Sequence, residues 1–216
     1  MKEFDVSTWK RKTPYECFSK YSNPVFSMTA RLDVTKLVEL SKRQGTSFFA
    51  NFIFVVAKCL NGLESFRLRI KEEKVVIYDV ITPSYIVMND KGVIVTKQTK
   101  FNENYKEFYN SVKQDIEEAK HNTTQKKFNN AGQNDVFYTS CIPWVDFTSI
   151  NNPYNIPDAE QTSIPRITWG KFVEENGRYK MSFDISAHHA LMDGYEMSQG
   201  FVCIQKAISD IENFLK

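Results

Sequence analysis

Between Tyr179 and Ile211 the spacing of apolar residues changes period, and that change limits the folds open to the chain. Tyr179, Met181, Phe183, Ile185 and Ala187 alternate with Lys180, Ser182, Asp184, Ser186 and His188. Strict alternation sends the two sets to opposite faces of a β-strand. From Tyr195 onward the pattern is Met197, Phe201, Ile204, Ile208 and Ile211, the stripe of a long amphipathic helix. A strand that runs straight into such a helix requires a sheet with a helical layer on it. The junction reads "SAHHALMDG", Ser186 to Gly194, and holds two of the chain's three histidines.

The other segments read in the same way. "NPVFSMTARLDV" predicts a strand from about Val25 to Leu32, and Asp33 is read as the cap of a short helix that stops at Gly45. Thr46 or Ser47 opens a second helix to about Leu60, apolar nearly all round and so expected to be buried. "FRLRI", "KVVIYDV" and "SYIVMN" predict a meander of strands from about Phe66 to Val95. Tyr105, Phe108, Val112 and Ile116 mark an amphipathic helix, and "DVFYTSCIPW" a strand that ends before Pro143. A loop-like stretch from Asn151 to Pro165 leads into a hairpin of "RITWGKF" and "RYKMSFDISAHH" turning at "ENG". Strands and helices mixed without βαβ alternation predict an α+β fold with a mixed or antiparallel sheet, and 216 residues fit one domain, 1–216.

Several function classes are disfavoured. The net charge is +2 with acids and bases interspersed, so no basic stripe points to nucleic acid. The mixed-charge "KQDIEEAKHNTTQKK" reads as a solvated helix end and loop. No apolar run reaches the length of a membrane span, and the N-terminus lacks the apolar core of a signal peptide. A cytoplasmic protein is expected, with Cys17, Cys59, Cys141 and Cys203 as reduced thiols. No metal site is expected, because adjacent strand residues such as His188 and His189 point to opposite faces.

The same geometry lets one imidazole be structural while the other faces a cleft. A neutral imidazole near pH 7 can take a proton from a hydroxyl as that hydroxyl attacks a carbonyl. Asp193 is open to two readings, the N-cap of the following helix or a carboxylate that organises the site. Negative charge developing on the attacked carbonyl needs a hydrogen-bond donor, which a seryl hydroxyl on a neighbouring strand can supply.

"HHALMDG" resembles the HHxxxDG signature of coenzyme A-dependent acyltransferases. The chain as a whole is similar to the trimeric chloramphenicol acetyltransferases, in co-ordered segments that include "FDVSTWKRK", "VVIYDVITPSY", "SCIPWVDFTS" and "ITWGKF". The resemblance implies a two-layer sandwich and a homotrimer with active sites between subunits. It also implies transfer of acetyl from acetyl-coenzyme A to a hydroxyl of chloramphenicol or a similar small alcohol, and hence a place in antibiotic resistance. By the same resemblance His189 is the base, Ser140 the oxyanion donor, and Thr168 the holder of a water near the reacting centre. Asp193 and Arg11 are a supporting, partly buried pair. Trp144 and Lys171 fall in segments that line the coenzyme A channel, and Phe18 and Phe26 fall on the acceptor side.

Departures from the family pattern cluster on that acceptor side. Phe18 stands where the family often has a tyrosine. "VMNDKGVIVTKQTKF" replaces a Phe-His pair and a Thr-Glu-Thr-Phe run. In "GTSFFAN", Ser47, Phe49 and Ala50 stand where a lysine, a tyrosine and a proline are common. The same chemistry on a different small alcohol, and a homologue that binds ligand without catalysis, are therefore the alternatives.

Overall fold

The computed structural model describes residues 1–121 and 133–216. A two-residue strand β1 (Lys2–Glu3) is followed by helix α1 (Lys12–Phe18) and the long strand β2 (Val25–Asp33). Helices α2 (Thr35–Gln44), α3 (Phe48–Asn61) and α4 (Glu64–Arg67) lead into a hairpin of β3 (Leu68–Lys71) and β4 (Lys74–Ile77). A second hairpin, β5 (Thr82–Met88) and β6 (Ile94–Gln98), precedes α5 (Tyr105–His121). Then come β7 (Val136–Ile142), the single turn α6 (Ala159–Thr162), and the hairpin of β8 (Arg166–Glu175) and β9 (Arg178–His188). Helix α7 (Gly194–Ser209) and the turn α8 (Ile211–Phe214) end the order. Part of "KQDIEEAKHNTTQKK", residues 122–127, lies outside the described residues.

Local chemistry sets the boundaries. Gly45 closes α2 with φ 63°, the left-handed conformation that a side chain disfavours. Asp33 acts from one position further out than expected: Val34 is the N-cap, while the Asp33 carboxylate accepts from the Thr35 amide (3.1 Å) and hydroxyl (2.6 Å). Ser47 caps α3, its hydroxyl accepting from the Ala50 amide. Every residue of α3 from Ala50 to Ala57 is buried, as its all-round apolarity requires.

Six strands form one sheet in the order β2-β9-β8-β7-β5-β6, antiparallel except that β7 runs parallel to both neighbours. The expected meander from Phe66 to Val95 is split. β3 and β4 join β1 in a small separate sheet, while β5 and β6 belong to the large one. Asn61 accounts for the break. Its amide accepts from the Ile81 N–H (2.8 Å) and donates to the Ile81 carbonyl (2.9 Å), holding the connection away from β4.

The apolar face of the large sheet, with Phe137, Ile167, Trp169, Phe183 and Ile185, packs on α3 and α7, flanked by α2 and α5. This is the two-layer α+β arrangement. The polar set of β9 is buried as well, because the segment between β7 and β8 folds back over it. Ser182 donates to the Asp146 carboxylate (2.9 Å), and Asn152 donates to the Ser186 hydroxyl (3.2 Å). The approach is close enough that a Cβ on Gly170 would lie 2.7 Å from the Val145 carbonyl oxygen. Buried Arg69 joins the small sheet to β7 by donating to the carbonyls of Phe66, Leu68, Asn134 and Val136 at 2.6–2.9 Å. A second apolar cluster on that sheet includes Leu68, Ile77 and Leu191, with Trp9 and Tyr15 against it.

Candidate active site

His188 ends β9 and His189 begins the turn that follows. His188 is buried at 3% exposure, and its Nδ1 accepts from the Ala190 amide at 3.2 Å. Burial, then the neighbouring His189, pull its pKa down to about 4. An unfolded chain takes up this proton near pH 6.5, whereas the native state refuses it until about pH 4. Stability at this residue is therefore present at pH 7 and lost as pH falls, by roughly 3 kcal/mol down to pH 4. Urea unfolding at pH 7, 5.5 and 4.5 checks this. His188→Gln should show a shallower acid loss than the wild type, and equal slopes would exclude the assignment.

His189 is half-buried and held on four sides. Its ring stacks on Phe18 (centroids 3.8 Å, 18° between planes) and leans on Phe26 (4.4 Å, 33°). Its amide donates to the Pro24 carbonyl at 2.7 Å, and its carbonyl accepts from Arg11 at 3.0 Å. Nδ1 is buried without a hydrogen-bond partner among the described residues. Nε2 is thus the nitrogen through which this imidazole can meet a substrate.

Arg11 is the N-cap residue of α1, and Phe18 is that helix's last residue, so the two ends of one short helix carry both contacts to the histidine turn. The Arg11 guanidinium is buried and donates to Asp193 (2.5 Å) and to Glu196 (3.1 Å). Asp193 also caps α7, its carboxylate accepting from the Tyr195 and Glu196 amides in a full capping box. The two readings of Asp193 are therefore not exclusive. The Glu196 side chain, the Tyr195 amide and the Arg11 charge hold its carboxyl down to about 2, against partial burial. Glu196 escaped the sequence reading, although its place three residues after Asp193 is the capping-box spacing.

The pair is half-desolvated: the Arg11 side chain is 6% exposed and that of Asp193 41%. Breaking it should cost less than the 3–5 kcal/mol typical of a fully buried pair, because Glu196 still faces the guanidinium. Asp193→Ala is expected to lose about 1–2 kcal/mol, mainly the cap. Urea unfolding at pH 7 measures it, and a loss below about 0.3 kcal/mol would contradict the role of Asp193 as cap.

Ser140 and Thr168 stand side by side in register on β7 and β8. Thr168 is in turn opposite Asp184 of β9, and Asp184 opposite Thr29 of β2. These four side chains lie on one face of the sheet, whereas Phe26, paired with Ala187, belongs to the other. His189 lies with Phe26. It shares no hydrogen bond, ion pair or ring contact with Ser140 or Thr168 among the described residues. The structure thus assembles two groups: His189 with Arg11, Asp193, Phe18 and Phe26, and Ser140 with Thr168. Trp144 (67% exposed) and Lys171 (exposed) flank a third position, where the Lys171 amide donates to the Val145 carbonyl at 2.9 Å.

A family model described as chloramphenicol acetyltransferase matches residues 1–205. The chain belongs to the chloramphenicol acetyltransferase family. It is 30% identical to the chloramphenicol acetyltransferase of Staphylococcus aureus over 97% of both chains. With that of Proteus mirabilis it shares 28% identity over 90% of this chain and 88% of the relative. A solved chloramphenicol acetyltransferase superposes over the full length of both chains with TM-score 0.86 at 24% identity. By family the chain is an acetyltransferase, and the α+β sandwich is the family fold. No helix among the described residues is long and apolar enough to cross a membrane.

Proposed function

We propose that this chain transfers the acetyl group of acetyl-coenzyme A to a hydroxyl of chloramphenicol or a similarly small alcohol, with His189 as general base. The observation that carries the reading is the clamped imidazole: rings on two sides, backbone bonds at its amide and carbonyl, and only Nε2 free to act. Acetyl-coenzyme A supplies the acetyl group as a thioester. His189 Nε2 takes the acceptor's proton as its oxygen bonds to the thioester carbon, and returns it as the thiol leaves. Ser140 donates to the carbonyl oxygen as that oxygen gains negative charge, and Thr168 holds a water beside it. Trp144 and Lys171 line the coenzyme A side. Phe18 and Phe26 line the acceptor side while fixing the base.

His189 and Ser140 contribute from opposite faces of one chain's sheet, so the reading requires a second copy. The chain acts as a homotrimer in which His189 of one subunit faces Ser140 and Thr168 of the next. A cytoplasmic setting fits this chemistry. Mixing His189→Ala subunits with Ser140→Ala subunits under refolding conditions should then restore activity that neither variant has alone. Persistent inactivity of the mixture would count against the shared site.

One observation favours an acceptor other than chloramphenicol. Met88 (47% exposed) and Ile94 (41%), in the stretch that departs from the family pattern, stand on the same face as Ser140, with exposed Ile86 beside them. An apolar wall there leaves polar groups of the ligand unpaired, at about 1–3 kcal/mol each. Turnover of chloramphenicol and a panel of small alcohols, read by thiol release from acetyl-coenzyme A, tests both readings. Chloramphenicol efficiency well below another alcohol's is expected. Efficiency near the diffusional range of roughly 10⁸ M⁻¹s⁻¹ would show that the altered stretch is immaterial, and no thiol release with any acceptor would overturn the proposed function.

A further inference from the structure

A chain of side-chain hydrogen bonds runs from a buried carboxylate to Thr168. Asp184 is fully buried, and both of its carboxylate oxygens accept: Oδ2 from the Thr29 hydroxyl (2.8 Å), Oδ1 from the Ser186 hydroxyl (2.9 Å). No cation bonds it among the described residues. Arg166, opposite Ser186 in register, instead stacks over Tyr154 at 3.9 Å. Ser186, having given its proton to Asp184, accepts from the Asn152 amide (3.2 Å). Asn152 therefore turns its carbonyl oxygen to Thr168, whose hydroxyl donates to it at 3.4 Å.

The direction of this chain is forced. A carboxylate only accepts, so each hydroxyl and the amide along the chain can point one way only. Its last member, Thr168, spends its single proton on Asn152 and keeps its lone pairs for the other side, where Ser140 stands in register. Burial also raises the cost of leaving any member unpaired, which holds the set together. Strands β2 and β8 contribute one residue each and β9 two, and Asn152 reaches in from the segment that covers the sheet.

We propose that Asn152, anchored through Ser186 to Asp184, is a positioning residue that fixes the Thr168 hydroxyl as a hydrogen-bond acceptor toward the reacting centre. The proposal rests on the reading of Thr168 as part of the acetyl-transfer site, and adds to it a residue that touches neither substrate. Cutting the chain at Asn152 frees the Thr168 hydroxyl to rotate. Its effect should therefore fall on turnover and vanish where Thr168 has no hydroxyl.

The test is a double-mutant cycle with acetyl-coenzyme A and the best acceptor of the panel. Asn152→Leu keeps the side-chain volume on a half-buried loop position, and Ser186→Ala cuts the same chain one link further back. Each single variant is expected to lose about 10- to 100-fold in kcat, the usual penalty for a reacting group set slightly out of place, with both KM values within about twofold. In a Thr168→Val background, adding Asn152→Leu should cost less than about twofold more. Asn152→Leu at wild-type kcat, or a full additional loss in the Thr168→Val background, would overturn the inference while leaving the proposed function intact. A wild type inactive on every acceptor would remove both.

Discussion

His189→Ala is expected to lower acetyl transfer by at least two orders of magnitude while the fold survives. A general base contributes roughly 10²–10⁴-fold, and the loss of the ring also removes the surface that orients the acceptor. The backbone bonds to Pro24 and Arg11 do not depend on the side chain, so the turn should keep its course. Phe18 and Phe26 lose a shared partner, a modest packing loss at a half-buried position. His188→Ala should behave in the opposite way, with lost stability and substantial residual turnover in the folded fraction. Steady-state kinetics with thiol release, alongside thermal melting of both variants, separates the two. A His189→Ala protein retaining a tenth of wild-type turnover beside an inactive but folded His188→Ala would reverse the assignment.

Ser140→Ala is expected to cost about 2.7–4 kcal/mol of transition-state stabilisation, a fall of 10²–10³ in kcat. Ser140 is partly buried and next to Thr168, so an alanine there fits without rearrangement. Both KM values should stay near those of the wild type, because the donor is aimed at charge that develops only during reaction. Raised KM values with unchanged kcat would make Ser140 a binding residue.

The parts of this molecule that were legible beforehand are those where a local rule and the tertiary fold agree. The nearly all-apolar run at Phe48–Leu60 had to be a buried helix, the β8–β9 hairpin followed from two strand-like runs about the "ENG" turn, and α7 from its period. The split of the predicted meander was not legible. Turn signals say that strands end, but the Asn61 bracket on Ile81 decides which sheet each strand joins. Helix α1 escaped because it buries no residue and carries Pro14 in its first turn. The approach of Arg11 to Asp193 crosses 182 positions, and only the family resemblance suggested it. The burial of the polar face of β9 was not legible either, because alternation reports only that a strand has two faces. What lies on the second face depends on the 143–158 segment, whose Asn- and Pro-rich composition gives no sign that it docks. Asn152 and Asp184 were missed for that reason.

The pairing of β2 with β9 also bears on how the protein is made. Among the described residues β2 is an edge strand with β9 as its only neighbour in the sheet, and Thr29 meets a partner 155 residues further along the chain. At roughly 5–20 residues per second of synthesis, β2 waits on the order of ten seconds or more for that partner. During the wait it is an unpaired strand carrying Val25, Phe26 and Met28, the kind of segment that invites association between nascent chains. The turn that holds His189 is completed only after β9 has arrived. Ribosome-bound chains truncated before residue 178 should therefore carry an open β2 edge and depend on chaperones for solubility.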